Sequence, residues 1–252
     1  MSRGLVILLH GVGSHGAAFA PVIRQWSTQR PDLAFAAPDA PFAFDHAPMG
    51  RQWFSIQGVT DTNRAERVAS ARAAFDTTLL ACMDDAGLAG QPERVVLVGF
   101  SQGSIMALDA VVSGRWPVAG VVAFSGRLAS PLPYTPALHT PVLLVHGDAD
   151  PIMPVREASR AAQALEQAGV AVKTVILPGV EHTLSAEGVA QAAAFIHTCL
   201  PPASAEPLAS GPCMVDRISL DRLFVSVLET GSFVAASERM GVSSGQASKM
   251  LS

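Results

Sequence analysis

The sequence predicts an α/β fold: a mainly parallel sheet with helices on both faces. Three observations carry that prediction. First, short β-branched apolar runs alternate with longer helix-patterned stretches from Gly4 to Cys199. Such alternation implies right-handed βαβ crossovers. Second, Gly99-Phe100-Ser101-Gln102-Gly103 sits between one apolar run and one helical stretch. Third, an aspartate-bearing loop and then a histidine-bearing loop follow two later strands.

The elements follow in order. A strand near 4–10 is continuously apolar and runs into His10-Gly11-Val12-Gly13. A helix near 17–29 and a strand near 33–37 come next. Residues 38–61 and 125–140 are the two longest loops, rich in Pro and aromatics, and are read as the walls of an open pocket. No insertion is long enough for a full lid domain. In the helix near 62–86, Val68, Phe75, Leu79 and Cys82 share one face, leaving Arg64, Arg67 and Asp76 for the other. Strands near 94–99, 119–124, 141–146 and 171–177 alternate with helices near 102–113, 155–168 and 186–198.

The chemistry centres on Ser101. A serine between two glycines at a strand-to-helix junction is held on a sharp, strained turn with its hydroxyl above the sheet. A hydroxyl is a poor nucleophile at neutral pH and needs a base, which in turn needs an orienting acid. The fold delivers them in the order Ser, Asp or Glu, His. Downstream lie His146-Gly147-Asp148-Ala149-Asp150-Pro151 after one strand and Gly179-Val180-Glu181-His182 after the next. His182 is the expected base. Asp150 is favoured as the acid because Pro151 fixes the loop beyond it; Asp148 is the competitor, with turn capping as its simpler role. His15, His46 and His139 read as solvated loop residues, His197 as part of the last helix, and Glu181 as a surface carboxylate. The oxyanion of acyl transfer needs two N–H donors. Gln102 N–H, at the start of the helix, is one, and Val12 N–H is the other. A phosphate loop at His10-Gly11-Val12-Gly13 is disfavoured, because neither G-x-G-x-x-G nor G-K-[ST] is present.

These segments, together with Gly50-Arg51-Gln52-Trp53-Phe54-Ser55, resemble the carboxylesterase/phospholipase family of α/β-hydrolases over residues 4–199. That family includes small bacterial esterases and acyl-protein thioesterases. The resemblance implies a serine hydrolase that cleaves carboxylic esters of short to medium acyl chains. It makes Ser101 the nucleophile, Asp150 the carboxylate and His182 the base, with oxyanion donors at Val12 and Gln102. It sets Trp53 and Phe54 near the acyl pocket, although each could simply anchor its loop in the core. Thioesterase or lysophospholipase action with the same triad is the nearest alternative. The chain departs from the family in starting almost directly at the first parallel strand.

Composition fits an enzyme of small molecules. The chain has 252 residues, 49% of them hydrophobic and 15% charged, enough to bury a full core. A formal charge of −4 gives no reason to expect a polyanionic partner. No cofactor or metal is expected, and the cysteines Cys82, Cys199 and Cys213 have no metal-ligand or redox spacing. Met1-Ser2-Arg3 leads straight into a strand, and no apolar run reaches ~20 residues, so a cytoplasmic protein without signal peptide or span is expected. A homodimer stays open.

The C-terminus reads differently. Residues 1–200 are taken as the catalytic domain and 201–213 as a Pro/Ala/Ser linker. Residues 214–252 resemble the first helices of a LysR-type regulator, with Ser232 as a helix cap. They carry four basic and four acidic side chains and stop inside the third helix. DNA binding by this truncated fragment is not expected, since phosphate neutralisation needs excess positive charge. A hydrolase-fold sensor fused to a DNA-binding unit is the competing reading.

Overall fold

The computed structural model describes residues 3–202, and the chain divides into two units at Pro202–Ala203. The expectations for the linker and the helix-turn-helix fragment lie outside the described residues, apart from Pro201 and Pro202.

The described unit is an α/β-hydrolase fold. Its strands are β1 (Gly4–Leu9), β2 (Leu33–Ala36), β3 (Phe42–Ala43), β4 (Arg51–Gln52), β5 (Val95–Phe100), β6 (Gly120–Phe124), β7 (Val142–Gly147) and β8 (Val172–Leu177). Its α-helices are α1 (Ala20–Gln29), α2 (Arg64–Asp85), α3 (Gln102–Val112), α4 (Arg156–Gln167) and α5 (Ala186–Cys199). Six strands form one sheet in the order β2-β1-β5-β6-β7-β8, and every pairing in it is parallel. The small antiparallel β3–β4 pair lies inside the long loop 38–61. Two-residue strands carry no periodicity, so the sequence could not reveal them.

The central strands β1, β5, β6 and β7 are almost wholly buried because both of their faces are covered, whereas the edge strand β8 exposes Lys173 and Thr174. Leu5, Ile7 and Leu9 of β1 join a core with Trp53, Phe75, Leu79, Leu97 and Met106. Val6 and Leu8 point the other way, into a core with Trp26, Val96, Phe124 and Ile196. Helix α2 buries Val68, Ala71, Phe75, Leu79 and Met83. Met83 extends the stripe, and Cys82, half-buried, packs against the same core at its margin. Helix α3 is buried along its whole length, so its one carboxylate, Asp109, needs internal partners. Arg72 grips it with two bonds of 2.8 and 2.9 Å, and Arg115 adds one of 2.9 Å.

Topology assembles the site. From β1 the chain moves outward to β2, then returns to β5 on the other side of β1. The loops leaving β1 and β5 therefore diverge from neighbouring strand ends, the switch point where open parallel sheets bind ligands. Leu9 pairs with Gly99, which places the His10 loop beside the Ser101 turn.

Candidate active site

Ser101 joins β5 to α3 with φ 53° and ψ −113°. That left-handed conformation is costly for a residue with a side chain and persists only where the surroundings impose it. They do so here by close backbone packing. A Cβ on Gly99 would lie 2.5 Å from Ser104 N, and one on Gly103 would lie 2.0 Å from Leu9 O. Both glycines of the pentapeptide are thus steric requirements of the turn. The Ser101 N–H donates to Phe124 O at 2.9 Å, tying the turn to β6. Ser101 Oγ makes no hydrogen bond among the described residues. Such contacts commonly tighten only with substrate in place.

The loop after β7 holds Asp150 with no exposed side-chain surface. Its Oδ1 accepts from Ile152 N–H at 2.9 Å and Met153 N–H at 2.8 Å. Its Oδ2 accepts from His182 Nδ1–H at 2.7 Å. Burial alone would raise the Asp150 pKa. The Met153 N–H, His182 and the Ile152 N–H outweigh it, so the carboxyl sits below its ordinary value. His146, on β7, donates Nε2–H to Met153 O at 2.7 Å and braces the same loop. Asp148 is exposed and accepts from Gly179 N–H at 2.6 Å, pinning the loop that leads to His182. The two loops also need Gly147: a Cβ there would fall 1.9 Å from Val180 O.

His182 is part-buried, with its ring centroid 4.9 Å from that of Phe100. With Nδ1–H engaged by Asp150, its Nε2 carries the lone pair. The ring borders a cavity of about 240 Å³ lined by His10, Gly11, Phe19, Phe100 and Leu184 among others.

The loop after β1 reaches the nucleophile: a Cβ on Gly11 would lie 3.4 Å from Ser101 Cβ. Neither Val12 N–H nor Gln102 N–H donates to a described residue. His10 is buried and sets the loop's shape. Its Nε2 accepts from Ala40 N–H at 2.9 Å, so Nδ1–H donates to Gly11 O at 2.7 Å. Burial lowers its pKa, only partly opposed by the Gly11 bond, and the ring is neutral. Trp53 is 1% exposed, and its Nε1–H donates to His10 O at 2.9 Å. The Gln102 side chain accepts from Trp53 N–H at 2.7 Å and donates to Phe54 O at 2.8 Å. Phe54 lines a separate cavity of about 740 Å³ that contains neither Ser101 nor His182.

The structure therefore brings Ser101, Asp150, His182, Val12 and Gln102 to one edge of the sheet, while Trp53 and Phe54 lie behind the loops. Of the other histidines, His46 and His139 are exposed, and Glu181 is exposed as well. Sequence reading missed His10, His146 and the Gln102 amide as framing groups. A histidine at a strand end before glycine was the available signal for the two histidines. Among the described residues, no group of three His, Cys, Asp or Glu side chains could hold a metal, and no helix is long and apolar enough to cross a membrane.

Fold and site geometry define an α/β-hydrolase. Residues 1–200 match the phospholipase/carboxylesterase family model, and the chain belongs to that family. It is a carboxylic ester hydrolase. The chain is 33% identical to the esterase YpfH of Escherichia coli over 183 residues, 73% of this chain and 77% of that protein. It is 27% identical to acyl-protein thioesterase 1 of Neurospora crassa, over 78% of this chain and 86% of that protein. The solved structure of esterase PE8 superposes with a TM-score of 0.69 at 31% identity, covering 79% of this chain and 94% of that one.

Proposed function

We propose that the chain cleaves carboxylic esters of short to medium acyl chains through a covalent acyl-Ser101 intermediate. Ser101 Oγ attacks the carbonyl carbon as its proton passes to His182 Nε2. Asp150 holds the ring in the Nδ1–H tautomer and stabilises the imidazolium that forms. The N–H groups of Val12 and Gln102 receive the oxyanion, aided by the positive end of α3. The C–O bond then breaks, and the alkoxide leaves as an alcohol with the proton from His182. Water repeats the sequence: His182 takes its proton, hydroxide attacks the acyl carbon, and Ser101 regains its proton as the acid departs.

The observation that carries this reading is the 2.7 Å His182–Asp150 bond, on a carboxylate already fixed by two backbone N–H groups. The apolar lining of the cavity beside His182 supports an acyl or leaving-group site of modest size. Trp53 and Phe54 position the oxyanion loops in this reading, through His10 and Gln102. The similarity to an acyl-protein thioesterase favours thioesters as a second substrate class. We further propose that residues 214–252 take no part in catalysis or DNA binding. Steady-state kinetics on matched p-nitrophenyl esters and acyl thioesters of two to twelve carbons test the reading. A fluorophosphonate probe should label the native chain and leave Ser101→Ala unlabelled; labelling of that variant would overturn the assignment.

A further inference from the structure

A second cavity, of about 390 Å³, lies among the C-terminal halves of α1 and α5 and the strand β2. Its walls include Trp26, Gln29, Arg30, Phe35, Ile196 and His197. It is separate from the cavity beside His182. That one is bordered by Phe19 and Leu184, which stand just before α1 and α5, whereas this one meets the far halves of the same helices. At the share of about 30 Å³ that one water takes, it holds a ligand of roughly a dozen non-hydrogen atoms.

The wall is rich in apolar side chains, yet it carries two unsatisfied donors. Trp26 is 3% exposed, and its Nε1–H is buried with no hydrogen-bond partner among the described residues. The Arg30 side chain is 12% exposed, and its Nη1 is likewise buried and unpartnered. Three buried side-chain polar atoms lack a partner among the described residues, and two of them belong to this one wall. An unpaired buried donor carries the full cost of its lost hydration, so the coincidence calls for an acceptor.

The two donors are set by local structure. Arg30 N–H closes the end of α1 on Trp26 O at 2.8 Å, so the two side chains stand one turn apart. Asp32 takes the Arg30 Nε and Nη2 hydrogens at 2.8 and 2.7 Å, and Nη2 also donates to Leu200 O at 2.8 Å. These partners fix the guanidinium plane and leave Nη1, the other arm of the fork, without an acceptor. An indole N–H and a guanidinium N–H can only donate. Neither atom is open to bulk water, so a bond made there escapes competition from solvent.

We propose that this cavity binds a small apolar carboxylate, whose oxygens accept from Trp26 Nε1–H and Arg30 Nη1–H while its apolar body lies against Phe35 and Ile196. An ionised carboxylate accepts without donating, which suits a wall that presents two donors, and its bond to the guanidinium is charge-assisted. The site is distinct from the ester-cleaving centre and does not depend on the mechanism proposed there.

The test uses the full chain and 3-phenylpropionate, with 3-phenylpropan-1-ol as its neutral counterpart. The chain has three tryptophans, Trp26, Trp53 and Trp116, hence three indole N–H signals in a proton–nitrogen correlation spectrum. Trp26→Phe identifies the Trp26 signal by its loss. The acid should move that signal downfield in a saturable way, and the alcohol should leave it close to its place. The Trp53 Nε1–H, bonded to His10 O beside the nucleophile turn, reports the catalytic centre in the same spectrum. By calorimetry, Trp26→Phe keeps an aromatic ring but loses the donor, and should weaken binding of the acid about tenfold. Ala194→Phe, at an exposed position on the wall, fills the cavity and should abolish binding. A Trp26 signal that the acid does not move overturns the proposal; donors that meet only an ordered water give this result. Equal affinity for acid and alcohol overturns it as well, and so does a shift confined to the Trp53 signal, which puts the acid in the catalytic centre. If Ala194→Phe does not fold, the Trp26 signal and the Trp26→Phe affinity decide the matter.

Discussion

Two buried carboxylates, Asp109 in the middle of α3 and Asp150 at the sheet edge, show how one fold separates structure from chemistry. Both side chains have no exposed surface, and both pKa values lie below the ordinary carboxylate value. In each case burial raises the pKa and hydrogen bonds more than reverse it. The partners differ. Asp109 is held by Arg72 and Arg115, permanent cations, and Arg115 is itself held by Asp76. No proton can move there near neutral pH, so the network is a rivet between α2, α3 and the following loop. Asp150 has two backbone N–H groups and one histidine, and that histidine faces a cavity. In the proposed mechanism, that histidine partner is what turns the same kind of buried charge into a proton-handling pair.

The sharpest way to break this comparison is to remove the groups on the open side. Ser101→Ala and His182→Ala should each lower kcat by several orders of magnitude, since triad members act as a unit. Circular dichroism and thermal unfolding should remain close to the parent. Near-parental turnover on p-nitrophenyl butyrate in either variant would refute the site.

Removing one oxygen's charge from each carboxylate should then give opposite phenotypes. Asp150→Asn should lower kcat by roughly 10⁴-fold, because the amide favours the wrong His182 tautomer. Asp109→Asn should instead cost about 3 kcal/mol of stability in urea unfolding, with turnover retained in the folded fraction, because two shielded arginines lose their counter-charge. Equal activity losses in the two variants would erase the distinction.

Acid should weaken both sites in the same direction. A carboxyl whose folded pKa is depressed binds fewer protons than in the unfolded chain, so its stabilisation is full above the unfolded value near 3.8 and is lost as pH falls through the folded value. Urea midpoints measured from pH 7 to pH 3 should fall on the acid side, and each Asn variant should flatten that fall. A variant profile parallel to the parent's would show that the carboxyl is not depressed.

Smaller effects are expected farther from the chemistry. Asp148→Asn loses part of the Gly179 N–H bond and should cost about 1 kcal/mol, with activity within a few-fold. Removing residues 203–252 should leave ester kinetics unchanged, because every proposed site residue lies within 3–202. Salt-sensitive, sequence-selective binding of duplex DNA by the full chain, lost on that truncation, would favour the sensor reading.

Much of this was legible before any coordinates. Strand-helix alternation located all six strands of the main sheet within about a residue at each end, because continuous apolar runs of that length have few other uses. The order of Ser101, Asp150 and His182 along the chain was readable for a similar reason: each follows a strand, and parallel strands present their C-terminal ends together. Other features had no local signal. Trp53 and Phe54 read as pocket candidates, because a large aromatic in a loop looks alike whether it faces substrate or core. His10 read only as the end of the first strand, and Gln102 was noticed only for its backbone N–H. Their roles come from partners at Ala40, Trp53 and Phe54, many residues away along the chain.

By itself, then, the sequence determined the α/β architecture, the strained serine turn and the order in which Ser101, Asp150 and His182 follow their strands, because hydrophobic periodicity and glycine sterics act over a few residues. The choice between Asp148 and Asp150 belonged to the tertiary structure: two residues apart on one loop, one points at Gly179 and the other at His182. So did the fate of the arginines. Arg72 and Arg127 look alike in the sequence, but only packing decides that Arg72 binds Asp109 through two hydrogen bonds while the carboxylates nearest Arg127 stand 3.8 and 3.9 Å away.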